Sequence, residues 1–281
     1  MKIIENLTLD EERALYNIKN TVVRYCTFKG VKDGESALKE CSSIEVISCG
    51  FYLRYPIWHA STYKVINSTF KETSRAPFWY CSNGEISNTK IYSVKALREC
   101  SNTLINGSDI KSEEFGWRCN HIKMNNSSLE GFYAFFESKD IEINIIDFKG
   151  KYSFQYVEDV VIKDSKLDTK DAFWHSKRVT VSNSIIKGEY LGWFSDHLTL
   201  INCKIIGTQP FCYCTNLKLI NCEMINCDLS FEYSDVDASI IGHVDSIKNP
   251  RSGKIIVDSV GEIITSNFKY KSNAKITVRK R

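Results

Sequence analysis

Five charged residues recur along the chain at an unbroken spacing of 19: His121, Asp140, Asp159, Arg178 and His197. If each sits on one turn of a stacked structure, Asp140 and Asp159 lie about 5 Å apart, the spacing of paired strands. Carboxylates that close resist simultaneous ionisation, so one can act as a general acid. The same separation suits retaining glycoside hydrolysis, with the second carboxylate as base or nucleophile. Glu137 offers a third carboxylate, and Arg178 a partner for an acidic sugar. The plainer reading is a solvated ladder in which His121 and Arg178 neutralise the two aspartates.

A second column holds all five tryptophans. It runs Lys39, Trp58, Trp79, Arg98, Trp117, Phe136, Gln155, Trp174, Trp193, Cys212, Glu232. Charged residues alternating with Trp indicate an outward position, while the residue before it is apolar or Gly and is expected inside. The position after it is also rich in functional groups, with His59, Tyr80, Glu99, Arg118, Glu137, Tyr156 and His175. An outward strip of this kind suits a saccharide, with rings on the apolar sugar faces and carboxylates and Arg on the hydroxyls. It equally suits a protein partner or self-association. The competing reading has the rings stacking on each other to shield the backbone, with no ligand.

Both columns exist only because the chain repeats. Cys81, Cys100, Cys119, Ser138, Val157, Ser176, Ser195 and Cys214 are each 19 residues apart. Three residues on stands an apolar column that includes Ile44, Tyr63, Ile122, Ile141 and Val160. A second follows two further on (Val46, Val65, Ile86, Ile105, Met124), and a third after five more (Phe51, Phe70, Ile91, Ile110, Leu129). The two-residue spacing and β-branched content are those of strands. An Asn-rich column (Asn67, Asn88, Asn126, Asp164, Asn183, Asn202, Asn221) marks a bend, since Asn tolerates left-handed backbone and can bond from coil to coil. A helical repeat would show spacings of three and four, and a leucine-rich repeat a Leu consensus. The expected fold is therefore all-β, a right-handed single-stranded parallel β-helix forming one domain. Residues 1–18 are read as an out-of-phase cap, 19–233 as regular coils, and 234–281 as looser closing coils with a basic tail. Such a solenoid would be about 50–60 Å long.

With Glu12-Arg13-Ala14-Leu15, Gly34-Glu35-Ser36-Ala37-Leu38-Lys39-Glu40 and Asn249-Pro250-Arg251-Ser252-Gly253, the chain resembles the pectin lyase-like β-helix superfamily. It is more closely similar to a mostly bacterial family of about this length, known only as a domain of unknown function. The resemblance implies a fold and supplies no activity. Pectate lyases set several Asp for calcium beside a catalytic Arg, and polygalacturonases carry Asn-Thr-Asp and Arg-Ile-Lys motifs. Neither set is present.

Composition limits the partners. With 37 Lys and Arg against 34 Asp and Glu, a charge of +3 gives no basis for nucleic-acid binding. No apolar run approaches the ~18 residues of a membrane helix. The 11 cysteines are odd in number and mostly occupy two small-residue columns that Ser, Thr and Ala share, so they read as buried, reduced thiols of a cytoplasmic protein. A zinc site from Cys203, Cys212, Cys214, Cys222 and Cys227 lacks a known ligand spacing, and no metal or other cofactor is expected. The sequence thus favours a non-catalytic binding or scaffold protein contacting a saccharide or protein. A carbohydrate-active enzyme and a self-associating structural protein are the alternatives.

Overall fold

Columns 19 residues apart require parallel pairing at a constant offset. The computed structural model, which describes residues 1–266, 269 and 272–279, has that pairing. The fold is an all-β, right-handed parallel β-helix of about 14 turns with about 19 residues per turn. Its regular elements among the described residues are strands, most of them short, and one 3-10 turn, Glu72–Ser74. The chain divides into two compact units, Met1–Ile146 and Asp147–Arg281.

In the first unit the pairing register reproduces the sequence columns. Val23 pairs with Val46, and Val65, Ile86, Ile105 and Met124 follow one coil at a time. All six are buried, since alternate residues of a strand share one face. Phe28, Phe51 and Phe70 stack face to face inside the coils, with centroids 4.7 and 4.5 Å apart. In the second unit Ile162, Val181, Leu200 and Leu219 form one column and Phe148, Leu167, Ile186, Ile205 and Met224 another.

The segment 1–18 differs from the expectation. Lys2–Glu5 pairs in parallel with Lys19–Arg24, Ile4 opposite Val23, and Thr8–Leu9 pairs with Thr27–Phe28. The segment therefore keeps the phase and contributes strands of its own. Its side chains are mostly exposed, which removes the inward apolar signal that reveals the other coils. After Tyr233, strands Asp235–Ile241, Ser252–Val257 and Lys275–Val278 continue the parallel pairing, following a register slip between Leu219 and Cys222. Lys271, Lys280 and Arg281 of the basic tail lie outside the described residues.

One small residue in the core has a definite cause. Gly84 pairs with Tyr63 on one side and Thr103 on the other, in the column that otherwise carries Ile44 and Ile122. The fully buried Tyr63 ring lies over it, so a Cβ there would stand 2.3 Å from Tyr63 Cζ. Gly84→Ala should therefore cost about 1–3 kcal/mol, the usual range for overpacking. Adding Tyr63→Leu should recover most of that loss. Thermal denaturation of the single and double variants measures the coupling, and simple additivity would refute it.

Candidate functional site

The candidate residues sit at corners where the backbone enters the left-handed region. The position after the Trp column has φ of 54° at His59 and Tyr80, 51° at Glu99 and Arg118, 53° at Glu137, 57° at Tyr156 and 55° at His175. None of its occupants from Glu40 to Tyr233 is β-branched, which follows from the clash such side chains meet there. His121, Asp140, Asp159, Arg178 and His197 form a second left-handed column, with φ between 52° and 57°. That column extends to Asn83, Asn102 and Asn216, all left-handed as well. Asn, Asp and His are enriched in this geometry, so the backbone favours much of the column's composition without any catalytic demand.

Several acids of that region are engaged by a basic side chain on a neighbouring coil. In the first unit His121 Nε2 lies 2.8 Å from Asp140 Oδ2, and Arg118 Nε donates to Glu137 at 2.8 Å. In the second unit Arg178 donates to both oxygens of Asp159, at 2.7 and 3.0 Å, and to Glu158 at 3.3 Å. The hydrogen bonds to Glu137 and Asp159 hold Arg118 and Arg178 above their usual range. Asp140 belongs to the first unit and Asp159 to the second.

The tryptophans are half-buried, and each is followed by an exposed corner residue. In the first unit Trp58 and Trp79 stack at 5.8 Å, Lys39 covers Trp58, and Arg98 lies between Trp79 and Trp117 at 5.6 and 5.0 Å. In the second unit Trp174 and Trp193 stack at 5.4 Å, within 5° of parallel. Three of the five indoles donate to a backbone carbonyl 16 residues ahead. Trp117 bonds Tyr133 at 2.7 Å, Trp174 bonds Tyr190 at 2.6 Å, and Trp193 bonds Gln209 at 2.8 Å. Gln155 does the same to Asp171 at 3.0 Å. The column thus has a structural duty that its spacing alone conceals. Trp58 and Trp79 have buried Nε1 atoms without such a partner.

The corner column carries the exposed aromatics. His59 stacks on Tyr80 at 4.9 Å in the first unit, where Glu99, Arg118 and Glu137 continue the column as charges. In the second unit the rings run without interruption. Tyr156, His175, Phe194 and Tyr213 stack at 4.9, 4.9 and 4.8 Å, all within 8° of parallel, and Tyr233 follows at 5.5 Å. Tyr156, Phe194 and Tyr213 remain 49%, 43% and 41% exposed. Phe194, Tyr213 and Tyr233 are additional to the residues singled out from sequence. The same column carried on past His175 finds them, at steps of 19, 19 and 20.

All eleven cysteines are free and buried. Those of the first column donate to carbonyls of an earlier coil, as Cys81 does to Ile57 at 3.4 Å and Cys214 to Gly192 at 3.1 Å. Ser138 and Ser234 make the same bond, to Gly116 and Phe211. Burial pushes the Cys41 and Cys214 thiols up to about 11. Among the described residues no group of three or more His, Cys, Asp or Glu is placed to hold a metal ion.

This geometry belongs to a recognised sequence family, whose profile matches residues 2–278. The chain belongs to DUF3737, a family of proteins of unknown function. No curated protein matches this DUF3737 chain. Solved structures similar to it are pectin-lyase-like right-handed β-helix proteins. The surface adhesin PfbA of Streptococcus pneumoniae has a TM-score of 0.43 and 11% identity, over 79% of this chain and 71% of that one. An exopolygalacturonase from Thermotoga maritima has a TM-score of 0.35 and 10% identity, over 91% and 82%. The mannuronan C-5 epimerase AlgE4 A-module of Azotobacter vinelandii has a TM-score of 0.31 and 9% identity, over 85% and 81%.

Two outcomes follow for the DUF3737 corner. Trp193→Phe keeps a ring but strips the donor from the Gln209 carbonyl, and should cost about 1–2 kcal/mol more than Trp58→Phe, whose indole has no acceptor to lose. Equal losses in denaturant titration would remove the capping role. Asp171, buried at a left-handed position, is held above the ordinary carboxylate value by that burial. Its folded form therefore loses stability as pH rises from the ordinary value through the raised one, and the penalty is complete above it. Asp171→Asn should raise the melting temperature by a few degrees at pH 7, with the gain shrinking towards pH 4. A gain independent of pH would contradict this assignment.

Proposed function

We propose that this DUF3737 protein is a non-catalytic binding or scaffold protein whose contact surface is the left-handed corner strip, backed by the tryptophans. The observation that carries the reading is the exposed stack Tyr156–His175–Phe194–Tyr213, continued by the half-buried Tyr233, one ring per coil. A continuous exposed aromatic strip on a rigid element is the usual mark of an interaction site. An extended saccharide is its leading ligand, met by one phenol, imidazole or ring edge per coil. The bonds already made by Asp140, Asp159 and Glu137 support binding over hydrolysis, because their oxygens are engaged by His121, Arg178 and Arg118. A protein partner is the second reading. It draws on the same exposed strip, since an apolar aromatic surface suits a protein as well. Eleven buried thiols without a disulfide support a reducing, cytoplasmic setting. No helix among the described residues is long and apolar enough to cross a membrane.

Intrinsic fluorescence against a polysaccharide panel tests the saccharide reading, since Trp193 lies 6.4 Å from Phe194 and reports on the corner. At least one glycan should quench or shift the emission, and Phe194→Ala should weaken that binding about tenfold. A full panel without response removes the saccharide. A response unchanged in Phe194→Ala removes the strip.

A further inference from the structure

Where the aromatic column of the second unit ends, a cavity of about 540 Å³ opens between Tyr213, Glu232, Tyr233, Arg251 and Lys269. Small-ligand sites fall in the range of about 300–1,000 Å³. Every described wall residue carries a polar end, which favours a polar ligand over an apolar peptide side chain. Tyr213 is kept a hydroxyl donor, its pKa raised by burial and by Glu232. Glu232 is fixed by Lys248 Nζ at 3.0 Å.

The cations decide the ligand's charge. Arg251 donates through Nε to Asp235 Oδ1 at 2.8 Å and through Nη2 to the other oxygen, and Ser252 Oγ bonds the same carboxylate. The guanidinium is therefore locked in orientation by two bonds on one edge, and Nη1 has no bond among the described residues. Asp235 is balanced by Arg251 and Glu232 by Lys248. Lys269 is exposed and has no ion-pair partner among the described residues, which leaves the described walls one positive charge in excess. Fixed guanidinium and free ammonium groups together are suited to an oxyanion.

We propose that this cavity binds a sugar unit bearing an oxyanion, carboxylate or phosphate, at the point where the corner strip ends. The inference rests on the binding role proposed above and gives its ligand a charge and a terminus. Hydroxyls of the sugar meet Glu232 and the phenols, and the oxyanion meets Arg251 Nη1 and Lys269.

Calorimetric titration of the full chain with trigalacturonate, its neutral methyl ester, glucose 6-phosphate and glucose tests this. At least one anionic probe should bind at least tenfold more tightly than its neutral counterpart, and added salt should weaken it. Which anion binds identifies the source of the charge. Lys269→Gln, an exposed change whose folding circular dichroism confirms, should weaken that binding about tenfold. Arg251→Lys keeps the charge, loses the fork, and should weaken it similarly. Equal affinity for charged and neutral probes overturns the proposal, as does wild-type binding in both variants. Phe194→Ala separates the two readings. It should spare glucose 6-phosphate while weakening longer glycans. Glycan binding lost in Phe194→Ala but untouched by Lys269→Gln leaves the strip and removes the cavity. Lys269-dependent binding with no effect of Phe194→Ala on any glycan does the reverse.

Discussion

The constraint on which the structure depends is a backbone that must enter the left-handed region at the same places in nearly every coil. A non-glycine residue there costs about 1–2 kcal/mol, and the chain accepts that cost several times per turn. Coil-to-coil hydrogen bonding offsets it, and so do ladders between the corner side chains themselves. Asn202 donates to Asn183 and Asn183 to Asp164, each at 3.2 Å, as Asn102 does to Asn83. Rings do the same by stacking. Because every coil turns at the same residue, whatever occupies a corner meets its own column at about the strand spacing. An exposed aromatic ladder is thus a direct product of the way the chain turns.

That origin explains which parts of the protein were legible in the sequence. The inward columns were readable because each coil must place an apolar residue against the one before, as Val46 does against Val23 and Val65. The Asn column was readable because its left-handed φ favours Asn and Asp over most side chains. The same rule makes His121, Asp140, Asp159, Arg178 and His197 ambiguous as a catalytic signal, since Asp and His are selected by the backbone as readily as by chemistry. Two features left no local trace. The indole bond from Trp193 to Gln209 joins positions 16 apart, off the 19-residue lattice. The burial of Asp171 depends on neighbours that no spacing reveals.

The cysteine content has the same logic. A side chain just past the corner faces inward and meets a carbonyl of an earlier coil, so the position rewards a small group that can donate. Ser138 and Ser234 do this with a hydroxyl, and Cys81, Cys119 and Cys214 with a thiol. A thiol donates more weakly but is less costly to bury, so the two alternate. Val157, which has no donor, shows that the bond is helpful at single coils and not obligatory.

Stacking also decides what the corner can offer a partner. Rings 4.8–4.9 Å apart use their faces on each other, and the surface that remains is a row of positive ring edges, hydroxyls and imidazole nitrogens. Such a row recognises oxygen-rich chains through their lone pairs more readily than through their apolar faces. In the first unit the equivalent column turns to Glu99, Arg118 and Glu137, whose charges are partly spent on one another and on the neighbouring Arg98. In the second it stays aromatic as far as Tyr233, one of the walls of the cavity that also holds Arg251 and Lys269. Recognition by ring edges and by a fixed guanidinium both favour negative or lone-pair-rich atoms. The two features therefore select the same chemistry by different means, and neither requires the chain to move.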